Sequence, residues 1–259
     1  MAKFKLTLEY DGSRYSGWQI QREERSVMGE VVGAARKVFQ TERLDVYGAG
    51  RTDTGVHALA QVAHLEVDTK LTPSVVRMKL NDELPHDVNI LHVEKANPRF
   101  HARFDAVARS YVYVISRRRH AFGKRYMWWI KDELDVKAMQ EACPLFIGKK
   151  DFQSFSNEDP NEKSTIVQLQ HLQIHEDGDM LVIHVIGSHF LWKMVRRIVG
   201  VLVEVGRGNL QKGDVRDFLA HPTNAPAQYT APPSGLFLER VYYEKEPISK
   251  EYRILFRGN

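Results

Sequence analysis

The densest group of potentially reactive residues is the segment 48–58, which reads GAGRTDTGVHA. Its three glycines surround one carboxylate, Asp53. Glycine reaches backbone angles that other residues avoid and leaves room for a substrate beside the main chain, so this spacing suits a loop that presents Asp53. Alternatively, Asp53 between two threonines makes only a local turn with its own backbone. The spacing alone leaves both interpretations open.

The sequence lacks the common motifs for nucleotide cofactors and for metals. The segment 48–58 lacks the Gly-Lys-Ser/Thr ending of a P-loop, and no GxGxxG opens a helix after a strand. The triplets 64–66 and 92–94 match the His-x-Glu half of a zinc deaminase site, but that chemistry also needs two thiolates and the chain has one cysteine. No pair among the 11 histidines has a convincing ligand spacing. We therefore expect no metal and no nucleotide cofactor.

A basic cluster with interleaved aromatic residues lies between residues 117 and 129. Arginine and lysine neutralise phosphates while aromatic faces stack on unpaired bases, a combination suited to single-stranded or looped RNA. The alternative is a solvated hairpin loop with a charged tip and core tryptophans nearby. The RNA-contact candidates are Arg117, Arg118, Arg119, Lys124 and Arg125, and their aromatic neighbours are Phe122, Tyr126, Trp128 and Trp129.

Composition bounds the class of protein. The 259 residues include 37 Lys and Arg against 33 Asp and Glu, for a formal net charge of +4, and 43% are hydrophobic, so we expect an ordered globular chain. One cysteine excludes an intrachain disulfide framework and favours a reducing compartment. The alternating N-terminus is unlike a signal peptide, and no run approaches the roughly 18 apolar residues of a membrane helix. These features predict a cytoplasmic protein with no membrane partner.

The elements of the first hundred residues follow from periodicity. Apolar residues at every second position predict an opening strand that ends at Asp11-Gly12, and Ser26 is placed to cap a helix. The predicted order is strand, helix, strand, strand, helix, strand, with later elements near 44–46, 63–67, 73–84 and 88–93. The polar stretch 97–105 predicts a boundary, so we expect halves at 1–105 and 106–259.

The second half shows a similar order of elements. Tyr111 and Tyr113 lie in a predicted strand that is apolar on both faces, as a covered central strand would be. Later elements are a helix at 136–143, strands at 167–174 and 180–186, a long helix at 190–205 ended by Gly206, a short helix within 208–219, a surface loop at 221–235 and a strand at 236–243. The repeated order suggests an ancient duplication.

The segment 48–58 resembles the GxGRTDxGVHA signature of the TruA family of tRNA pseudouridine synthases. Further similar blocks lie at 10–12, 17–21, 81–85, 100–106, 109–113, 151–155, 189–196 and 231–236. The resemblance implies an α+β pseudouridine synthase fold, with two ferredoxin-like α/β sandwich halves whose antiparallel sheets flank a central basic cleft. It implies isomerisation of uridine to pseudouridine in the tRNA anticodon stem-loop, at positions 38, 39 or 40, by a homodimer without metal or organic cofactor.

The resemblance also assigns roles to five residues. Asp53 is the essential carboxylate, acting either as a nucleophile at C1′ or as a base at C2′. Arg196 matches the cation beside it, although the helix pattern alone leaves Arg197 equally possible. Tyr111 corresponds to the aromatic that stacks on the target base. Leu236 corresponds to an apolar floor and Arg51 to the residue that inserts where the flipped nucleotide was.

The sequence departs from the family pattern at four positions. Lys150 and Ser164 stand where family members commonly have histidine and arginine, and Met28 and Gly33 stand at places often held by glutamine and glutamate. These changes bear on how tRNA docks and which position is chosen, not on the reaction.

Two other functions are alternatives to the isomerisation of uridine in tRNA. They are a noncatalytic RNA-binding module and the same isomerisation on a different RNA.

Overall fold

The computed structural model describes residues 1–255, which pack into two compact units. Unit 1 is Met1–Val107 together with Leu238–Pro247, and unit 2 is Ala108–Phe237 together with the chain from Ile248 onwards. The predicted halves, 1–105 and 106–259, stay a prediction: their boundary lies close to Val107, the return of 238–247 to unit 1 was not expected, and residues 256–259 lie outside the described part.

Unit 1 has the predicted order of elements. These are β1 (Ala2–Tyr10), α1 (Val27–Phe39), β2 (Leu44–Gly48), β3 (His57–Val67), α2 (Pro73–Glu83) and β4 (Val88–Lys95). The strands lie in the order β4-β1-β3-β2 with every neighbouring pair antiparallel, which is the order of a ferredoxin-like sandwich. Phe4, Leu6 and Leu8 are fully buried at alternate positions of β1. Ser26 Oγ caps α1 by accepting from Gly29 N at 3.2 Å.

Unit 2 repeats part of this arrangement. Its elements are β5 (Ala106–Ser116), β6 (Trp128–Trp129), α3 (Val136–Ala142), β7 (Gly148–Asp151), β8 (Ile166–Asp177), β9 (Met180–Gly187), α4 (Met194–Gly206) and α5 (Lys212–Ala220). The strands β5-β9-β8-β7 form consecutive antiparallel pairs, and β6 runs parallel to β5. The last strand, β10 (Leu236–Tyr243), begins in unit 2 and continues into unit 1.

The long helix begins later than its apolar pattern predicts. Lys193 has a φ of 64°, in the left-handed region, and Met194 N donates to Leu191 O at 3.1 Å to close a turn. A residue in that conformation cannot continue a right-handed helix, so α4 begins at Met194 rather than near Phe190. It ends at Gly206 as predicted, and eleven of its thirteen residues are buried.

The segment 221–235 is also packed more closely than a surface loop. It contains a 3-10 turn at Ala225–Tyr229, and both Pro226 and Ala231 are buried. A Cβ placed on Gly200 of α4 would lie 1.5 Å from Tyr229 O, so the segment lies directly against the helix backbone. The prediction of a surface loop therefore holds for the exposed residues 221–224, while the rest of the segment packs against α4.

Within the described chain, no helix has both the length and the apolar character that crossing a bilayer demands.

Candidate active site

The candidate catalytic loop, residues 48–58, joins β2 to β3 in unit 1. Val56 N donates to Asp53 O at 3.1 Å, and Gly55 has a φ of 78°, so the chain turns tightly just after the carboxylate. This local turn uses the main-chain carbonyl of Asp53. The Asp53 residue is half-buried and Arg51 is exposed. A local turn at Asp53 and its predicted chemistry are therefore compatible, because the turn uses the main chain.

The segment ahead of α1 braces this loop at Thr52, the residue before the carboxylate. Trp18 N donates to Thr52 O at 3.2 Å, and Tyr10 Oη and Thr52 Oγ1 are hydrogen-bonded at 2.8 Å. Gly17 has a φ of 88°, and a Cβ there would lie 2.3 Å from Thr52 O. Only glycine permits that approach. Gly48 is equally confined, since its Cβ would lie 2.4 Å from Trp18 Nε1.

Two further side chains hold the ends of the loop. His57 is 1% exposed, and its Nδ1 accepts from Gly12 N at 3.0 Å. Because that nitrogen accepts a hydrogen bond it carries no proton, so the approach of Asp11 Oδ1 to 3.2 Å is not an ion pair. Gln61 Nε2 donates to Gly50 O at 3.0 Å. The backbone on both sides of Asp53 is therefore anchored to unit 1.

Tyr111 and Tyr113 share a face of β5 but differ in environment. Tyr111 keeps 8% of its surface exposed, and its ring meets that of Phe190 edge-on with centroids 5.1 Å apart. Tyr113 is fully buried, and its Oη donates to Pro232 O at 2.8 Å. Burial raises the pKa of Tyr113 well above its usual value. Tyr113 is thus the more deeply buried of the two tyrosines.

Arg196 is tied to the segment before β10. Its Nε donates to Ala231 O at 2.7 Å, while Ala231 N donates back to Arg196 O at 3.0 Å. Further along the segment, a Cβ on Gly235 would lie 2.7 Å from the Tyr113 ring, and Leu236 is 5% exposed. Unit 2 therefore links β5, the first turn of α4 and Leu236 through one packed segment.

Arg197 is the other arginine that the helix pattern allowed as the cation of the site. Its guanidinium is buried against backbone carbonyls. It is 4% exposed, and its Nη1 donates to Ser156 O at 2.6 Å and to Ser154 O at 3.2 Å. Its Nη2 also contacts Asn157 Oδ1. Burial lowers the pKa of Arg197. The guanidinium thus holds the backbone of 154–157 and is neither a surface ion pair nor an exposed phosphate contact.

Part of the basic cluster is already paired with acidic side chains. Arg117 Nη1 lies 2.9 Å from Glu176 Oε2, and Arg118 contacts Asp179. Both acids belong to the β8–β9 hairpin region. Arg117 and Arg118 therefore have part of their charge compensated before any RNA arrives.

The rest of the cluster combines exposed cations with exposed rings. The Arg119 guanidinium lies 5.9 Å from the Trp129 ring centroid, and Lys124 and Arg125 are exposed in a 3-10 turn. Phe122 is 88% exposed and Trp129 44%. This is the arrangement of charge and aromatic surface that the RNA-contact interpretation requires.

The candidate residues fall on both units. Asp53 and Arg51 lie on one loop of unit 1, whereas Tyr111, Arg196 and Leu236 belong to unit 2. Sequence reasoning did not find the bracing contacts at Thr52, the ring of Phe190 beside Tyr111 or the Arg196–Ala231 pair. The only available signal was that these residues lie in or beside the blocks shared with the family.

Comparison with known proteins shows the class of this chain. The model of the family described as tRNA pseudouridine synthase matches residues 7–105 and 142–244. A tRNA pseudouridine synthase A of Rhodopseudomonas palustris is 41% identical over 247 residues, and a tRNA pseudouridine synthase A 2 of Bacillus cereus is 37% identical over 246. Each alignment covers 94% of this chain and 100% of the relative. The chain belongs to the TruA family of tRNA pseudouridine synthases, an isomerase family, as the motifs predict.

The family match and the mostly antiparallel strand pairing confirm the predicted α+β pseudouridine synthase fold. A solved archaeal box H/ACA sRNP Nop10–Cbf5 complex contains a chain that is 10% identical with a TM-score of 0.36, covering 89% of this chain and 59% of that one. A similarity at that level adds nothing to the assignment.

Proposed function

We propose that this protein isomerises uridine to pseudouridine at position 38, 39 or 40 of the tRNA anticodon stem-loop, with Asp53 as the reacting carboxylate. Membership of the tRNA pseudouridine synthase family supports the isomerisation of uridine in tRNA. The observation that supports Asp53 is its place in a glycine-rich loop whose backbone is anchored at Thr52 on one side and at His57 on the other. The three positions follow from the family resemblance.

The proposed reaction rearranges bonds within one nucleotide and needs a carboxylate but no second substrate. The bond from uracil N1 to ribose C1′ breaks, the base turns, a bond forms from C5 to C1′, and the proton on C5 is lost while N1 gains one. Because the product is an isomer, no oxidant, reductant or group donor is consumed. Asp53 either attacks C1′ or removes the proton at C2′. The nucleotide must first leave its stack, at a cost of about a few kcal/mol.

The other candidates have environments suited to their proposed roles. By resemblance Arg196 is the cation of the catalytic site, and its hydrogen bond to Ala231 O orients the guanidinium. Tyr111 stacks on the turned-out base, with Phe190 holding its ring. Leu236 gives the base an apolar floor that excludes water. Arg51, which is exposed, fills the space that the base has left.

The basic cluster contacts the RNA. Arg119, Lys124 and Arg125 neutralise phosphates while Phe122 and Trp129 offer faces for unpaired bases. Arg117 and Arg118 contribute less, because each is engaged with an acidic side chain. By resemblance the protein acts as a homodimer, and sedimentation equilibrium of the purified chain tests this. The single cysteine supports a cytoplasmic location.

Mapping pseudouridine in tRNA incubated with the purified protein tests this function. Transcripts with a single uridine at position 38, 39 or 40 should gain pseudouridine there, and transcripts with cytidine at all three should gain none. Modification only of another RNA would support the same isomerisation on a different substrate. Binding of tRNA without turnover would support the noncatalytic RNA-binding module.

A further inference from the structure

Three histidines that no motif singled out meet on one face of the sheet in unit 2. His171 and His175 lie on β8, and His184 lies on β9 opposite Gln173, the position midway between them. One ring nitrogen of each lies within 4.8 Å of those of the other two. Two strand residues four apart are separated by about 13 Å along an extended strand, so their imidazoles must lean towards each other to meet. The pairing register assembles this cluster, which is why residue spacing does not reveal it.

The cluster presents nitrogen atoms without hydrogen-bond partners. Among the described residues, His171 Nε2, His175 Nε2 and His184 Nδ1 are buried and unpartnered. His184 is fully buried, and His171 is 8% exposed. Buried imidazole nitrogens normally find a donor or an acceptor, so three such atoms in one place require an explanation.

The surroundings favour neutral rings with free lone pairs. His184 Nε2 lies 2.8 Å from Ser110 Oγ, so when Nε2 donates to that hydroxyl the lone pair of Nδ1 is left bare. A hydrogen bond on the second nitrogen is the usual support of a metal-bound histidine. Burial lowers the pKa of His184 to about 3 and also lowers the pKa values of His171 and His175.

We propose that His171, His175 and His184 form a binding site for a late first-row divalent cation, Zn²⁺ in the first instance. Imidazole is a preferred ligand of zinc, and three protein nitrogens leave a fourth tetrahedral position for water. Zinc–nitrogen bonds of about 2.0 Å place tetrahedral ligands roughly 3.3 Å apart, so binding draws the three nitrogens inwards through side-chain rotation.

The site stands apart from the isomerisation chemistry. His184 pairs with Val112 and Val185 pairs with Tyr111, so His184 and Tyr111 project from opposite faces of the sheet. The Tyr252 ring of the C-terminal segment lies 4.6 Å from that of His175. A bound ion would therefore stabilise unit 2 from the face that Tyr111 does not occupy.

Metal analysis of untagged protein tests the proposal. After equilibration with Zn²⁺ and removal of free metal, the wild type should retain one zinc ion per chain and melt at a higher temperature than the chelator-treated protein. Replacing Zn²⁺ by Co²⁺ should give the intense visible bands of a tetrahedral site.

Matched variants locate the ion. His175→Gln, at the half-buried edge of the cluster, should weaken Zn²⁺ binding at least about tenfold, and Ser110→Ala should weaken it by about tenfold through the lost support of His184. His221→Gln, an exposed histidine of the same unit, should leave binding unchanged. Wild-type protein without tetrahedral cobalt bands, or equal zinc retention in wild type and His175→Gln, would overturn the proposal. The wild-type spectrum decides the question even if a variant does not fold.

Discussion

At the scale of single residues, neighbouring side chains of the same type have different environments. Arg196 and Arg197 are adjacent in α4, yet Arg197 is buried on backbone carbonyls while Arg196 is half-buried and bonded to Ala231. The helical pattern could not separate them, because both lie at the edge of its apolar surface. Burial and hydrogen-bond partners, which depend on the packing of distant segments, make the distinction.

This difference predicts opposite phenotypes for two matched substitutions. Arg196→Met should lower turnover by about 100-fold, because it removes charge stabilisation at the reacting group, and should cost about 1 kcal/mol of unfolding free energy through the lost hydrogen bond to Ala231 O. Arg197→Met should destabilise the fold by about 3 kcal/mol, because carbonyls of 154–157 lose their buried donor. Urea unfolding and single-turnover assays of both variants measure the two effects. Equal loss of stability in both would contradict the assignment.

A buried histidine in unit 1 predicts a pH dependence of stability. Burial lowers the pKa of His64 to about 4, and its Nδ1 accepts from Ala102 N at 3.0 Å. The unfolded chain, with a pKa near ~6.5, binds the proton first as the pH falls. His64 therefore contributes stability that is complete above pH 6.5 and is lost progressively down to about pH 4, amounting to about 3 kcal/mol.

The control for this effect is His64→Asn, whose side-chain oxygen can accept from Ala102 N without titrating. The free energy of unfolding should fall less steeply between pH 6.5 and 4 in His64→Asn than in the wild type. Parallel curves for the two proteins would show that His64 does not titrate as described.

At the scale of elements, the alternation of apolar residues and the helix-capping residues predicted those strands and helices that are long enough to show a hydrophobic period. β1 and α1 are examples, since apolar residues at every second position and the Ser26 cap appear directly in the sequence. The strands β6 and β7, of two and four residues, are too short for periodicity to indicate. The start of α4 depends on the left-handed backbone conformation of Lys193, and a lysine in the sequence does not predict that conformation.

For the candidate site, too, the sequence indicates the local segment but not its contacts with other elements. The segment 48–58 could be found from its glycines and its family signature, but its bracing by Gly17 and Trp18 depends on a close approach between distant segments. The histidine cluster depends on the register of β8 against β9, which no local pattern specifies. Contacts between elements are therefore what the sequence left open.

Two glycine substitutions test the bracing of the catalytic loop. Gly17→Ala should destabilise the protein by about 3 kcal/mol, because a positive φ and a close contact with Thr52 O both oppose a side chain. Gly33→Ala, in α1 with open space at its Cβ, should stabilise it by about 1 kcal/mol. Thermal unfolding measures both. A neutral Gly17→Ala would mean that the loop is not held at Thr52.

At the scale of the whole molecule, RNA binding should depend on a local patch rather than on the net charge of +4. Affinity for tRNA should fall linearly with the logarithm of salt concentration, because phosphate contacts release counterions. Lys124→Ala should reduce that slope by about one unit, whereas Arg118→Ala, whose guanidinium contacts Asp179, should change it less. Filter binding across a salt series measures this, and a salt-independent affinity would contradict the patch.

The central claim is that Asp53 reacts with the ribose of a bound uridine, and single-turnover kinetics with excess enzyme test it most directly. Asp53→Asn should bind tRNA with the affinity of the wild type and form no pseudouridine, since an amide can neither attack C1′ nor remove the C2′ proton. Asp45→Asn, the same change at an exposed aspartate of β2, serves as the matched control and should retain full turnover. Wild-type turnover by Asp53→Asn would contradict the account.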